Sequence, residues 1–146
     1  DRAILGTVAV DNPAVVAEAA RRHPGAVLAG IDARQGKVAL RGWVDQTPVA
    51  AVDLARDMKA LGVERIVYTD VARDGMLTGV NVEETEKVAR ESGLRVIASG
   101  GVASESDVRE LWLRRDAGIE GVILGRALYD GKIDFRGLRA RMLSWQ

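Results

Sequence analysis

The chain predicts an α/β protein built on a parallel sheet of about five βα units. Three observations carry this. Short apolar runs recur along its 146 residues; they are rich in Val and Ile and continuous rather than alternating; and each is followed by a Gly-containing loop and an amphipathic stretch. Short continuous runs are how strands buried on both faces of a parallel sheet read. Their alternation with helical stretches implies right-handed crossovers. The runs are Ala3–Leu5, Ala26–Ile31, Arg65–Tyr68, Leu94–Ala98 and Gly121–Leu124, with a second extended run at Lys37–Leu40.

The stretches between them carry helix signals. Asn12 is an N-cap candidate with Pro13 at the first helical position, and Pro24-Gly25 stops that helix. Thr47-Pro48 repeats the start signal; Ala51, Leu54, Ala55, Met58 and Leu61 follow at helical spacing, and Gly62 is placed to end the helix. Asn81 with Glu84 has the form of a capping box, and Ser104 with Asp107 a weaker form of it. A last helix is expected to begin near Asp134 and run to the end. No Pro/Ser-rich or low-complexity segment divides the chain, so residues 1–146 read as belonging to one domain. The chain opens directly into its first strand, Asp1-Arg2-Ala3-Ile4, with no Met and no lead-in, which predicts that it is part of a longer one.

Composition narrows the chemistry. Lys plus Arg and Asp plus Glu both number 21, so a strongly basic nucleic-acid binder is not expected. The absence of Cys removes disulfides, thiolate metal sites and cysteine nucleophiles, and fits a cytoplasmic setting. A single histidine, His23, leaves no His-based triad or multi-His metal site; it reads as a solvated helix-end residue. Acid–base work falls to carboxylates. No apolar run approaches the ~20 residues of a membrane span.

In parallel α/β folds, sites lie at the carboxyl ends of the strands. Gly6-Thr7 follows the first run, Asp32-Ala33-Arg34 the second, Thr69-Asp70 ends the third with Asp74-Gly75 beyond it, Gly100-Gly101 follows the fourth and Gly125-Arg126 the fifth. Ile4-Leu5-Gly6-Thr7 also resembles Ile123-Leu124-Gly125-Arg126, which hints at two equivalent strand ends serving similar ligand groups. Glycine lets backbone N–H groups approach an anion, so the turns at Gly100-Gly101 and Gly125-Arg126 read as two halves of a phosphate cradle; tight βα turns alone are the competing account. Asp32 ends a very apolar stretch, where partial desolvation suits a general acid. A structural Asp that accepts loop N–H bonds or pairs with Arg34 fits the position equally. Of Thr69 and Asp70, one is expected to face the site and the other to cap a loop, and Asp74-Gly75 reads first as a plain turn. Arg41-Gly42-Trp43 offers a guanidinium that can clamp an anion and a ring that can stack, although a lone Trp more often packs. Trp112 is expected in helix packing and Trp145 in a terminal contact.

Taken together, several segments resemble the family of the histidine-pathway isomerase, phosphoribosylformimino-5-aminoimidazole carboxamide ribotide isomerase. They are Gly6-Thr7-Val8-Ala9-Val10 with Asn12-Pro13; Ile31-Asp32-Ala33-Arg34-Gln35-Gly36-Lys37-Val38 with Arg41-Gly42-Trp43; Thr69-Asp70 with Arg73-Asp74-Gly75-Met76-Leu77-Thr78-Gly79; Ala98-Ser99-Gly100-Gly101-Val102; and Gly121 through Tyr129. The resemblance implies an eight-stranded (β/α) barrel performing an Amadori rearrangement on a small molecule with a phosphate at each end. It implies no metal or organic cofactor and no nucleic-acid or membrane partner. By the same resemblance, Asp32 corresponds to the carboxylate that protonates the ribose ring oxygen, and Thr69 to a residue that positions the reacting sugar. Gly6 and Thr7 correspond to one phosphate site; Gly75, Gly100, Gly101, Gly125 and Arg126 correspond to the other, with Asp74 beside them. Arg41 and Trp43 correspond to the mobile loop that closes over the substrate.

The family's proton acceptor is an Asp on its first strand, and a full barrel needs about 250 residues and eight strands. The chain is therefore expected to be the C-terminal part, lacking strands one to three, with the missing N-terminal part as its partner and with no activity alone. Three other readings stay open: the cyclase subunit of imidazole glycerol phosphate synthase, a bifunctional isomerase that also accepts phosphoribosyl anthranilate, and a non-catalytic partial barrel. Met76-Leu77-Thr78-Gly79-Val80-Asn81 and Arg41-Gly42-Trp43 favour the isomerase over the cyclase.

Overall fold

The computed structural model describes residues 1–145. In chain order the first half comprises β1 (Ala3–Leu5), a single turn α1 (Val8–Asp11), α2 (Pro13–Arg22), β2 (Val27–Arg34), β3 (Lys37–Leu40), β4 (Asp45–Ala50) and α3 (Ala51–Ala60). The second half comprises β5 (Arg65–Asp70), α4 (Val82–Ser92), β6 (Arg95–Ser99), α5 (Glu105–Leu113), β7 (Ile119–Val122), α6 (Arg126–Tyr129) and α7 (Phe135–Met142). The five predicted runs become β1, β2, β5, β6 and β7, which lie side by side in that order and pair in parallel throughout. The sheet is mixed, however. Where β2 runs past its parallel neighbours it turns through Gln35-Gly36, both in the left-handed region, and pairs antiparallel with β3, which pairs antiparallel with β4.

That hairpin arm corrects two expectations. β2 does not stop at Ile31 but continues to Arg34, because Ala33 and Arg34 pair with Val38 and Lys37; Asp32 is thus held within a strand rather than on a loop. Thr47-Pro48 does not start a helix. Both residues lie in β4, the outermost strand, where a proline's missing N–H leaves no ladder bond broken. The Thr47 hydroxyl donates to the Val38 carbonyl at 3.0 Å, and α3 starts at Ala51, whose N–H donates to the Gly36 carbonyl at 2.9 Å. The last strand also sits earlier than expected, over Ile119–Val122.

Side chains alternate across the strands. One face is buried by the helices: Ile31, Ile66, Tyr68, Val96 and Ala98 pack with Val16, Leu54, Met58, Val88, Leu111 and Leu138. Each large apolar side chain buried there contributes about 1.5–3 kcal/mol. Burial pushes the Tyr68 phenol above its ordinary range, and the Glu84 and Asp70 carboxylates push it the same way. Among the described residues no helix layer covers the opposite face, and Ile4 and Ile123 on its flanks are 57% and 44% exposed. At the amino-terminal end of that face Arg65 reaches across to Glu120 (2.7 Å).

The helix caps rank differently from expectation. Asn81 caps α4 by accepting from the Glu84 N–H, whereas Ser104 and Asp107 form the complete reciprocal box at α5. α7 begins beside Asp134 as expected, and Asp134 caps it, but α7 ends at Met142, and Gln146 lies outside the described residues. Trp145 packs edge-on against Trp112 with ring centroids 5.9 Å apart, while Arg115 lies 4.9 Å over the Trp112 ring.

Arg141 of α7 is hydrogen-bonded to Glu105 of α5 (Nε to Oε1, 2.8 Å), and this bond holds the Glu105 carboxyl below its ordinary 4.5. A carboxyl lowered on folding stabilises the fold above its unfolded pKa, and that contribution is lost as pH falls through the folded value. Acidification below about 4.5 is therefore expected to loosen α7 before the sheet melts. The effect is small because the pair is exposed, and salt weakens it further. Trp145 emission followed against pH reads it; Glu105→Gln removes the acid-dependent change, and an identical acid profile in that variant would disprove the contact's role.

Candidate active site

The helix-free face presents a polar row near the carboxyl ends of three neighbouring strands. Asp32 of β2 pairs in register with Thr69 of β5, which pairs with Ser99 of β6. Residues paired in register point to the same face, so Asp32, Thr69 and Ser99 stand side by side about 4.8 Å apart. Gly30, Val67 and Ile97 form the apolar row beneath them. Thr69 is buried and Asp32 half-buried, so the carboxylate keeps access to solvent and to a ligand. The neighbouring Asp70 points the other way, into the helix layer, and accepts the Ala72 N–H at 3.0 Å.

The hairpin arm delivers Trp43 over this row. Its indole N–H donates to Oδ2 of Asp32 at 2.8 Å. Arg41, Gly42 and Trp43 all have positive φ, a conformation that costs a non-glycine residue about 1 kcal/mol or more and persists only where contacts hold it. The Asp32–Trp43 bond is one such contact. Arg34 forms no bond to Asp32; it is exposed at the strand end, so Asp32 takes its partner from the arm. Arg41 turns to Asp45 (2.7 Å) and Asp11 (3.8 Å), so its guanidinium is engaged within the arm and at α1 rather than at the row.

The glycine turns converge at the β6–β7 end. Asp74, Gly75, Gly100, Gly101, Gly125 and Arg126 line one small pocket of about 50 Å³, with Ser99 at its side. Gly100 and Gly101 are there for a packing reason as well. Both have positive φ, and a Cβ on Gly100 would stand 2.6 Å from the Asp70 carbonyl oxygen. Arg126 donates to the Gly75 carbonyl at 2.9 Å and pairs with Asp130 at 2.9 Å, which fixes the guanidinium at the pocket mouth. Among the described residues no protein group accepts from the backbone N–H of Gly101, Gly125 or Arg126. Those donors, not a cluster of cations, are what the pocket offers an anion.

Gly6 and Thr7 lie at the other end, after β1. Gly6 is exposed and a Cβ there would meet nothing within 4 Å; the Thr7 hydroxyl lies 3.4 Å from the Arg41 backbone N–H. The structure thus brings Asp32 and Thr69 together in the centre, Gly6, Thr7 and Arg41 at one end, and the five-residue glycine–arginine set at the other. It does not bring the two ends into contact. Sequence reasoning missed Ser99 as part of the row and Asp70 as an acceptor from Asn81 (2.7 Å). The capping role assigned to Asn81 was the one available signal for the latter. His23 caps the end of α2 away from this face.

The family described as histidine biosynthesis protein matches residues 1–134. Curated relatives described as 1-(5-phosphoribosyl)-5-((5-phosphoribosylamino)methylideneamino)imidazole-4-carboxamide isomerase are similar over nearly the whole chain. The one from Hahella chejuensis is 56% identical over 91% of this chain and 54% of its own length. The relative from Syntrophotalea carbinolica is 52% identical over 93% of this chain and 56% of its own length. One from Cereibacter sphaeroides is 54% identical over 95% of this chain and 59% of its own length. The chain spans little more than half the length of the relatives it matches.

Proposed function

The chain belongs to the histidine biosynthesis protein family, and from that premise we propose that it forms the carboxyl-terminal part of a (β/α)8 barrel isomerase, about strands four to eight. The proposed reaction is an Amadori rearrangement that turns an N-ribosyl aldose into a 1-amino-ketose. The substrate class is the one the relatives' description carries, an aminoimidazole carboxamide bearing two phosphoribosyl groups.

One observation carries the reading. The Asp32–Thr69 row stands between two glycine-rich strand ends, with β1 and β7 four strand steps apart. At about 4.8 Å per step the ends are about 19 Å apart along the sheet. That suits an extended ligand with a phosphate at each end and the reacting sugar between them. Gly6 and Thr7 take one phosphate; the backbone N–H groups of Gly101, Gly125 and Arg126 take the other.

In the proposed mechanism Asp32 gives its proton to the ribose ring oxygen. The C1–O bond breaks and the nitrogen lone pair forms the C1=N bond. Loss of the C2 proton to a base gives an enaminol, which becomes the ketose when C1 gains a proton and the C2 hydroxyl gives up its own. Thr69, register-paired with Asp32, holds the sugar hydroxyls. Trp43 must release Asp32 for the sugar to reach it, and its ring then covers the substrate. The base belongs to the half of the relatives that this chain does not cover.

The test is an activity assay on the 146-residue chain, alone and mixed with the uncovered half of the Hahella chejuensis relative. Turnover is expected only in the mixture. Comparable turnover by the chain alone, or an inactive mixture in which the two parts demonstrably associate, would overturn the proposal.

A further inference from the structure

We propose that Asp70 is a positioning residue for the anion pocket: through Asn81 it closes the loop 71–80, whose tip forms one wall of that pocket. The inference rests on the phosphate reading of the pocket and concerns how its wall is held. Asp70 does not face the polar row. It is 6% exposed, in the helix layer; two donors converge on its carboxylate, the Ala72 N–H at 3.0 Å and the Asn81 side-chain amide at 2.7 Å, and the Arg73 guanidinium forms a looser ion pair with it at 3.8 Å. Asn81 is used at both ends, since its carbonyl oxygen also accepts the Glu84 N–H at the start of α4 (3.3 Å). The base of the loop is therefore a directed polar chain, from the α4 cap through the Asn81 amide to the accepting oxygens of Asp70.

Inside this clamp the loop is tied again. Arg73 Nη1 donates to the Gly79 carbonyl at 3.1 Å, and the Gly79 N–H donates to the Gly101 carbonyl at 2.9 Å. Asp74, Gly75 and Leu77 of the same loop line the pocket, and the Gly75 carbonyl receives Arg126. The carboxylate at the end of β5 thus fixes where the pocket wall stands without touching a ligand itself.

Asp70→Asn puts an amide where only acceptors fit, against either the Ala72 N–H or the Asn81 amide. Asn81→Ser keeps a good helix cap but withdraws the amide from Asp70. Swapping the pair, Asp70→Asn with Asn81→Asp, restores one donor and one acceptor across the contact, and the aspartate it introduces is still a good N-cap for α4.

The experiment reads amide hydrogen exchange at Met76 and Gly79 together with inorganic phosphate affinity, followed by chemical-shift changes at Gly101 and Arg126. In each single variant, exchange at these two amides is expected to rise about tenfold or more, the factor carried by one charge-assisted hydrogen bond. Phosphate affinity is expected to fall in proportion to the closed fraction that is lost, because only the closed loop is competent to bind. Exchange in β6 stays native, and the swapped pair returns both readouts to within about threefold of the native chain. Native exchange at Met76 and Gly79 in both single variants, or no recovery in the swapped pair, overturns the proposal. If the native chain shows no phosphate shift at Gly101 or Arg126, the phosphate reading fails, and the exchange rates alone then decide for or against the clamp.

Discussion

Asp32→Asn, in an isomerase of full family length carrying this sequence, is expected to lower turnover by about two to four orders of magnitude while substrate still binds. That is about 3–5 kcal/mol of lost transition-state stabilisation. The structure makes this substitution a clean test. Asp32 lies inside β2, held by ladder pairing to Thr69, so the backbone does not depend on its side chain. Its one described side-chain bond comes from the Trp43 indole at 2.8 Å, and an asparagine oxygen can accept that bond equally well. What asparagine cannot supply is the proton that the proposed mechanism gives to the ring oxygen. Asp74→Asn is the control: Asp74 is exposed on the loop at the pocket, outside the Asp32–Thr69 row, and its loss is expected to cost less in turnover. Steady-state kinetics on both variants decide the point. Near-normal turnover for Asp32→Asn, or a loss confined to KM, would leave Asp32 with a structural role.

The sheet was legible because its strands carry short apolar runs, clearest in the buried central strands β2, β5 and β6; the flanking strands β1 and β7 are more exposed, and β7 (Ile119–Val122) starts two residues before the apolar run that predicted it. The strand ends were less so. Beyond Ile31 the segment Asp32-Ala33-Arg34 is no longer apolar, and it stays extended because β3 folds back on it. Thr47-Pro48 carries the local chemistry of a helix start, yet β3 claims the segment first, and the helix waits for Ala51. At the site the sequence separated Thr69 from Asp70 by strand alternation alone, and the structure does place them on opposite faces. Two features were beyond sequence reading because both are tertiary. Trp43 reaches Asp32 only through three consecutive left-handed residues, and Arg126 meets Gly75 across 51 positions of chain.

Gly101→Ala is expected to destabilise the chain by about 2–5 kcal/mol, which for a chain of this size lowers the melting temperature by about 10 °C. Two costs combine. The residue sits at φ +83°, where a side chain costs about 1–2 kcal/mol. Its Cβ would also stand 2.5 Å from the Gly79 carbonyl oxygen and 2.7 Å from the Arg73 Cβ. The first of these neighbours is backbone and cannot swing aside: Gly79 is pinned to Gly101 itself by a 2.9 Å hydrogen bond and to Arg73 by another at 3.1 Å. Forcing them apart adds about 1–3 kcal/mol and pushes the pocket wall outward. Gly6→Ala supplies the contrast, because a Cβ there meets nothing within 4 Å and needs no positive φ. Its effect on stability is expected to stay within about 0.5 kcal/mol, so any loss of ligand affinity it causes is a loss of backbone approach to the proposed phosphate. Thermal unfolding of the two variants beside the native chain separates a glycine required by packing from one kept open for a ligand. A Gly101→Ala chain that melts with the native one would mean that loop 71–80 yields freely, and the close approach of Gly101 to Gly79 would then not be what holds the pocket in shape.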